Sequence, residues 1–231
     1  MKLLLLPGMD GTGDLFQFFT PHLPSVLQPQ VVRYPTDRFL DYPQLLDYVR
    51  EAAPTDEPYV IFAESMSTPL AVQFAATHPR GLAAVILCVG FVTSPVGQWA
   101  RRVPGALARL FFGMPTTEIM CRHYLAGPGA PLQMVQAVRS ATGRVAPSVM
   151  AERLRIILDC DARAALRDVT VPMMYLQADG DNLVGARCGA EIIAHRPQTD
   201  LVQLRGPHLL AQREPHQTAD AVLAFLRRHG L

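Results

Sequence analysis

Two hydroxyls, Ser65 and Ser67, sit at the joint of the stretch 59–79, YVIFAESMSTPLAVQFAATHP, where an apolar run stops at Glu64 and a pattern of helical period takes over. A serine there could attack a carbonyl carbon, provided that a base takes its proton and a third group orients the base. When a strand turns sharply into a helix, the residue at the turn stands above the sheet edge, beside the helix N-terminus. Small flanking residues are needed because neighbouring backbone crowds that turn, usually written G-x-S-x-G. Ala63-Glu64-Ser65-Met66-Ser67 has small flanks, though neither is glycine. Centring the turn on Ser67 would place Ser65 and Pro69 at the flanks, and proline suits that place poorly, so Ser65 is the candidate nucleophile. Ser65 could otherwise serve as a plain helix N-cap. Ser67 and Thr68 are expected to satisfy donors of the first helical turn, where Pro69 is tolerated because its missing N–H would have no partner.

A base and an acid should follow in the chain order Ser, Asp or Glu, His. Of seven histidines, His208 lies in a Gly-Pro loop after the last expected strand, in LVQLRGPHLL, whereas His22, His78, His123, His195, His216 and His229 fall in or near helices. The preceding strand, in VPMMYLQADGDNLVG, ends in Asp179-Gly180-Asp181, and either carboxylate could accept the Nδ1–H of His208. The other aspartate would then form the turn around Gly180. The interval from Asp181 to His208 holds one helix and one strand, as a βαβ crossover requires. Charge developing on a substrate oxygen needs N–H donors. Met66 offers one at the helix N-terminus and Met9 another, in LPGMDGTGD, where Gly8 lets the backbone come close. The same loop reads Gly8-x-x-Gly11-x-Gly13, which is not the G-x-G-x-x-G of dinucleotide sites, and no G-x-x-x-x-G-K occurs.

The elements that must carry these residues alternate. Strands are expected at residues 2–6, 31–34, 59–63, 82–91, 172–177 and 200–204, and helices at 43–53, 66–77, 186–194 and 215–228, with a helix-like pattern beginning at 14–20. Unbroken apolar strands between amphipathic helices indicate a doubly wound, mostly parallel α/β sheet of about six strands covered on both faces. Sites in such sheets lie at the strands' C-terminal ends. Between Thr93 and about Asp168 only helical patterns appear. Residues 1–93 and 169–231 are therefore read as the core and 94–168 as an inserted helical cap.

The stretches LPGMDGTG, AESMSTPLA, YLQADGDNLV and GPHLLAQ together resemble small bacterial members of the α/β-hydrolase superfamily. The resemblance spans most of the chain outside the cap. It implies an α/β-hydrolase fold lacking the first two strands, a Ser65–Asp181–His208 triad with Asp181 favoured over Asp179, and a cofactor-free serine esterase, thioesterase or related acyl hydrolase. A carbon–carbon bond hydrolase or a non-catalytic binding protein are its alternatives. Ala63, Ser67 and Thr68 depart from the glycines of the family's elbow, and Gly185 stands where proline is common.

At 231 residues, 49% of them hydrophobic, the chain can fill one sizeable core. A net charge of +1 gives no sign of a nucleic-acid partner. Four leucines before Pro7 are too few for a signal h-region, and no run reaches the length of a membrane span. Cys88, Cys121, Cys160 and Cys188 show neither metal-site nor disulfide spacing, which favours a reducing cytoplasm and no metal. The cap holds ten arginines against five acids, and apolar residues that include Trp99, Phe111, Phe112 and Met114. That charge could steer an anionic partner such as a carrier-bound acyl ester, and the apolar surface could line an acyl pocket for a small-molecule ester.

Overall fold

The computed structural model describes residues 1–96 and 104–231. Its strands β1 (Lys2–Leu6), β2 (Gln28–Val31), β3 (Tyr59–Glu64), β4 (Leu82–Cys88), β5 (Met173–Ala178) and β6 (Asp200–Leu204) pair in parallel in the order β2-β1-β3-β4-β5-β6. All of β3 is buried and so is β1 after Lys2, because helices cover both faces. Side chains leave a strand alternately up and down. Leu4, Leu6, Ile61, Ala63, Val85 and Leu87 accordingly join one core cluster, whereas Leu3, Leu5, Val60, Phe62 and Ile86 join the other. Helices α1 (Tyr42–Ala52), α2 (Ser67–Ala75) and α8 (Ala186–His195) close the first cluster through Leu45, Val49, Leu70, Phe74 and Ile192. The 3₁₀ segment Asp14–Phe18 and helix α9 (Pro215–Arg228) close the second through Phe16, Val222 and Phe225.

The doubly wound parallel sheet is as expected, with one strand displaced. β2 occupies Gln28–Val31 rather than 31–34. As an edge strand it needs no apolar run and tolerates Pro29. Val32 and Tyr34, the residues that suggested a strand, are buried because the chain leaves the sheet beneath the β1 loop, where the Tyr34 N–H donates to Gly11 O at 2.8 Å. α1 begins one residue before Pro43, capped by Asp41 and Gln44, each side chain accepting from the other's backbone N–H.

The strand order places the site. β1 is flanked by β2 on one side and β3 on the other, so the chain reverses direction across the sheet there. The carboxyl ends of β1 and β3 then flank an open crevice, the topological switch point.

Between β4 and β5 lie α3 (Gly105–Gly113), α4 (Glu118–Met120), a π-helical turn (Cys121–Ala126), α5 (Leu132–Gly143), α6 (Pro147–Asp159) and α7 (Arg163–Asp168). Cys121, Met134, Val135 and Val138 pack there with Leu15 and Leu209, so these helices share a core with loops from the sheet's C-terminal edge. Trp99, Arg101 and Arg102, which were counted in the cap's apolar surface and charge, lie outside the described residues. No helix among the described residues is long and apolar enough to cross a membrane.

Candidate active site

β3 delivers Ser65 to the switch point. The Ser65 N–H still donates to Cys88 O at 3.0 Å, continuing the sheet, but its φ of 52° turns the chain abruptly into α2. A non-glycine residue in that region carries strain, which persists only where the surroundings over-determine it. The N-cap of α2 is Met66, without a side-chain cap, so the Ser65 hydroxyl is not spent on the helix. Ser65 Oγ lies 3.0 Å from His208 Nε2, and His208 Nδ1 lies 2.8 Å from Asp181 Oδ2. The carboxylate can only accept, so Nδ1 carries a proton and the Nε2 lone pair faces Ser65.

The two aspartates divide their tasks. Asp181 Oδ1 accepts from Leu183 N and Val184 N at 2.8 and 2.9 Å, a local turn that leaves Oδ2 for the imidazole. Asp179 Oδ1 accepts from Gly206 N at 3.0 Å, and Gly180 N donates to Gly206 O at 2.9 Å. Asp179 thus fastens the acid loop to the loop bearing His208. Burial of the imidazole lowers its pKa, but the charge and hydrogen bond of Asp181, helped by Glu64, outweigh it and leave His208 above the ordinary histidine value.

The Ser67 hydroxyl faces away from His208, engaged by Pro7 and Tyr34. Ser67 is buried, its Oγ donates to Pro7 O, and it lies 2.8 Å from Tyr34 Oη. Thr68 Oγ1 accepts from Phe91 N at 2.9 Å and sits 2.7 Å from Ser65 O. Both hydroxyls therefore tie the turn to neighbouring loops rather than to the donors of the first helical turn. Met66 follows Ser65 at the start of α2, and a Cβ on Gly8 would lie 3.7 Å from Ser65 Cβ, so the Met9 loop also adjoins the serine. Neither the Met9 nor the Met66 N–H has an acceptor among the described residues.

Three neighbours escaped the sequence reading. Glu64 is buried with Oε2 2.7 Å from Gln212 Nε2, and burial pushes its carboxyl up to about 7 despite that hydrogen bond and the nearby His208. Its signal was a carboxyl ending an otherwise apolar strand. Tyr34, expected in a strand, instead sets its hydroxyl against Ser67. Arg153, buried in α6, reaches the Met9 loop. It recurs with Val149 and Ile157 at intervals of four on the helix's buried face, a position where arginine is unusual.

The model of the family described as serine aminopeptidase, S33 matches residues 31–205. The chain belongs to this family. The match includes Ser65 and Asp181 and stops short of Met9 and His208. Solved structures place this S33 member in the α/β-hydrolase fold, as the motifs implied. A hydrolase from Oleispira antarctica superposes with TM-score 0.83 at 14% identity over 98% of this chain and 90% of that one. A bromoperoxidase from Bacillus anthracis gives 0.82 at 12% over 98% and 91%. MenH from S. aureus gives 0.79 at 14% over 100% and 95%. Comparison with curated proteins finds no match.

The packing around the elbow predicts one stability effect. A Cβ on Gly90 would overlap the Thr68 side chain, which is held by Phe91. Gly90→Ala should cost about 1–3 kcal/mol, as overpacking does. In a chain of this size that is a fall in Tm of about 2–4 °C per kcal/mol, read by thermal melting.

Proposed function

We propose that this chain is a serine hydrolase cleaving carboxylic esters through an acyl-enzyme. The observation that carries the reading is the continuous chain from Ser65 Oγ through His208 to Asp181, at 3.0 and 2.8 Å, on a left-handed turn at the switch point. Ser65 Oγ attacks the ester carbonyl carbon while His208 Nε2 takes its proton. The oxyanion is held by the N–H groups of Met9 and Met66. The intermediate collapses, the alcohol departs with the proton from His208, and an acyl group remains on Ser65. His208 then deprotonates water, which attacks the acyl carbon and releases the acid. Residues 94–168 are assigned as a cap over this site. The assignment is supported by Phe112, Val149 and Met150, which pack with Met9.

The same nucleophile also suits a thioester; the oxygen ester is taken as the simpler acyl donor to Ser65. An acidic acyl carrier is the second reading, suggested by the cap's excess of arginine. Arg122, Arg155 and Arg163 already pair with acids of the cap itself, Arg144 pairs with Asp14, and Arg153 is buried, which reduces the charge available for steering. The four cysteines are buried and free, in keeping with a proposed cytoplasmic setting.

Hydrolysis of p-nitrophenyl esters of graded chain length, with fluorophosphonate labelling mapped by mass spectrometry, tests the proposal. Turnover with label on Ser65 is expected, and the preferred chain length would measure the space beneath the cap. Label on another residue, or none alongside tight binding of an acyl ligand, would leave the protein a binder rather than an esterase. A kcat/KM that falls as salt is added, on an acyl carrier but not on a neutral ester, would support the carrier reading.

A further inference from the structure

A guanidinium contributed by the helical stretch between β4 and β5 is built into the loop after β1. Arg153 is 2% exposed, and its donors are directed at backbone. Nη1 donates to Met9 O at 2.9 Å and Asp10 O at 2.8 Å, and Nη2 donates to Pro35 O at 2.8 Å. Residues Gly8-Met9-Asp10-Gly11 form a turn closed by Gly11 N donating to Gly8 O at 3.0 Å. Both carbonyls inside the turn therefore belong to Arg153.

Peptide planarity carries this constraint to the site. In a trans peptide the C=O and the N–H point in opposite directions. Holding Asp10 O sets the direction of the Gly11 N–H, which reaches back to Gly8 O. Holding Gly8 O in turn sets the direction of the Met9 N–H. The loop sequence fits the arrangement. Gly11 has φ +70°, and a Cβ there would lie 2.7 Å from Arg153 Nη1, so only glycine leaves room for the guanidinium. The Asp10 side chain turns to Thr12 N at 2.9 Å and lends its charge to the arginine without displacing it from the carbonyls.

We propose that Arg153 is a positioning residue that aims the Met9 N–H at the substrate oxyanion, so that a helix of the cap completes the oxyanion hole of the core. The proposal rests on the serine-hydrolase reading above. It predicts an effect confined to the charged transition state: a donor misaligned with the oxyanion lowers kcat by about 10²-fold, while a neutral ground state is held as before.

The test uses Arg153→Lys and Arg153→Ala in the full chain. Arg155→Ala on the same helix, whose guanidinium pairs with Glu152 at 3.6 Å on the surface, is the control. Expected for both Arg153 variants is a loss of kcat of about 10²-fold with KM within about threefold. Affinity for a trifluoromethyl ketone, which forms an oxyanion on Ser65, should fall in step with kcat/KM, while affinity for the matching neutral amide holds. Guanidinium ion at millimolar concentration should restore part of the rate to Arg153→Ala. Folded variants with wild-type kcat, or equal losses for ketone and amide, would overturn the proposal. Where the Arg153 variants fail to fold, Gly11→Ala pushes the guanidinium aside without removing it, and the same ketone-to-amide contrast decides. Activity surviving Ser65→Ala sinks the parent reading, whereas a dead Ser65→Ala beside an unimpaired Arg153→Lys sinks this inference alone.

Discussion

Ser65→Ala is expected to lower kcat for an activated ester by about 10⁶-fold, leaving the residual rate that oxyanion donors and binding alone supply. The loss should leave Tm almost unchanged, since Ser65 Oγ makes its hydrogen bond to His208 rather than to the core or the helix. Ser65→Gly separates the two properties further. With φ at 52°, glycine relieves strain that serine bears, so the variant should be as inactive as Ser65→Ala and more stable by about 1 kcal/mol. Ser67→Ala gives the opposite pattern. It removes the hydroxyl between Pro7 O and Tyr34 Oη and strands a buried partner, at a cost of about 1–3 kcal/mol, with activity reduced but present. Initial-rate assays beside thermal melts of the three variants decide the matter. A Ser65→Ala protein retaining more than about a hundredth of the rate would mean that another group is the nucleophile.

Asp181→Asn should cost about 10⁴-fold in kcat without disturbing the backbone. Asp181 Oδ1 accepts two loop N–H groups, so asparagine will keep its carbonyl oxygen there and turn its amide towards His208. A donor facing Nδ1 requires a lone pair on Nδ1, which moves the proton to Nε2. Nε2 can then no longer accept from Ser65. Asp179→Asn keeps the oxygen that accepts from Gly206 N and should stay within about threefold of wild type. The same pair sets the pH dependence. His208 must be neutral to act as base, and its pKa lies above the ordinary value, so the acid limb of the kcat/KM profile should fall above about 6.5. The raised folded pKa contributes stability that is fully present below the unfolded value and is lost as pH rises through the folded one. Activity therefore appears over the same pH range in which this contribution disappears. In Asp181→Asn the limb should move to lower pH. An unchanged limb would mean that a different group controls it.

The parallel strands were legible where burial on both faces forces an unbroken apolar run, as in β3 and β4, because no polar residue interrupts the signal. β2 was displaced for the converse reason. An edge strand of sequence QPQV carries no such run, while Val32 and Tyr34 owe their burial to a loop. That Ser65, Asp181 and His208 meet could be anticipated because a parallel sheet brings the ends of its strands to one edge, so position along the chain stands in for position in space. The contacts that hold them could not be read this way. Arg153 to the Met9 loop, Gln212 to Glu64 and Ser67 to Pro7 are side-chain bonds across 60 to 148 residues, and they leave no periodicity behind. The traces available were single residues, a carboxyl closing the apolar run of β3 and a charge on the apolar face of α6, and a net count of the cap's arginines conceals the second.

The overlap between Thr68 and any Cβ at position 90 links two residues 22 apart in the chain, and its effects should be visible in the history of the fold. With glycine at position 68, the overlap that now excludes a Cβ at position 90 would be gone, and a side chain could enter there. With threonine at 68 that entry is closed, and a smaller residue at 68 would have to precede any change at 90. The two sites should therefore vary as a pair, with the absent side chain passing between the first turn of α2 and the end of β4.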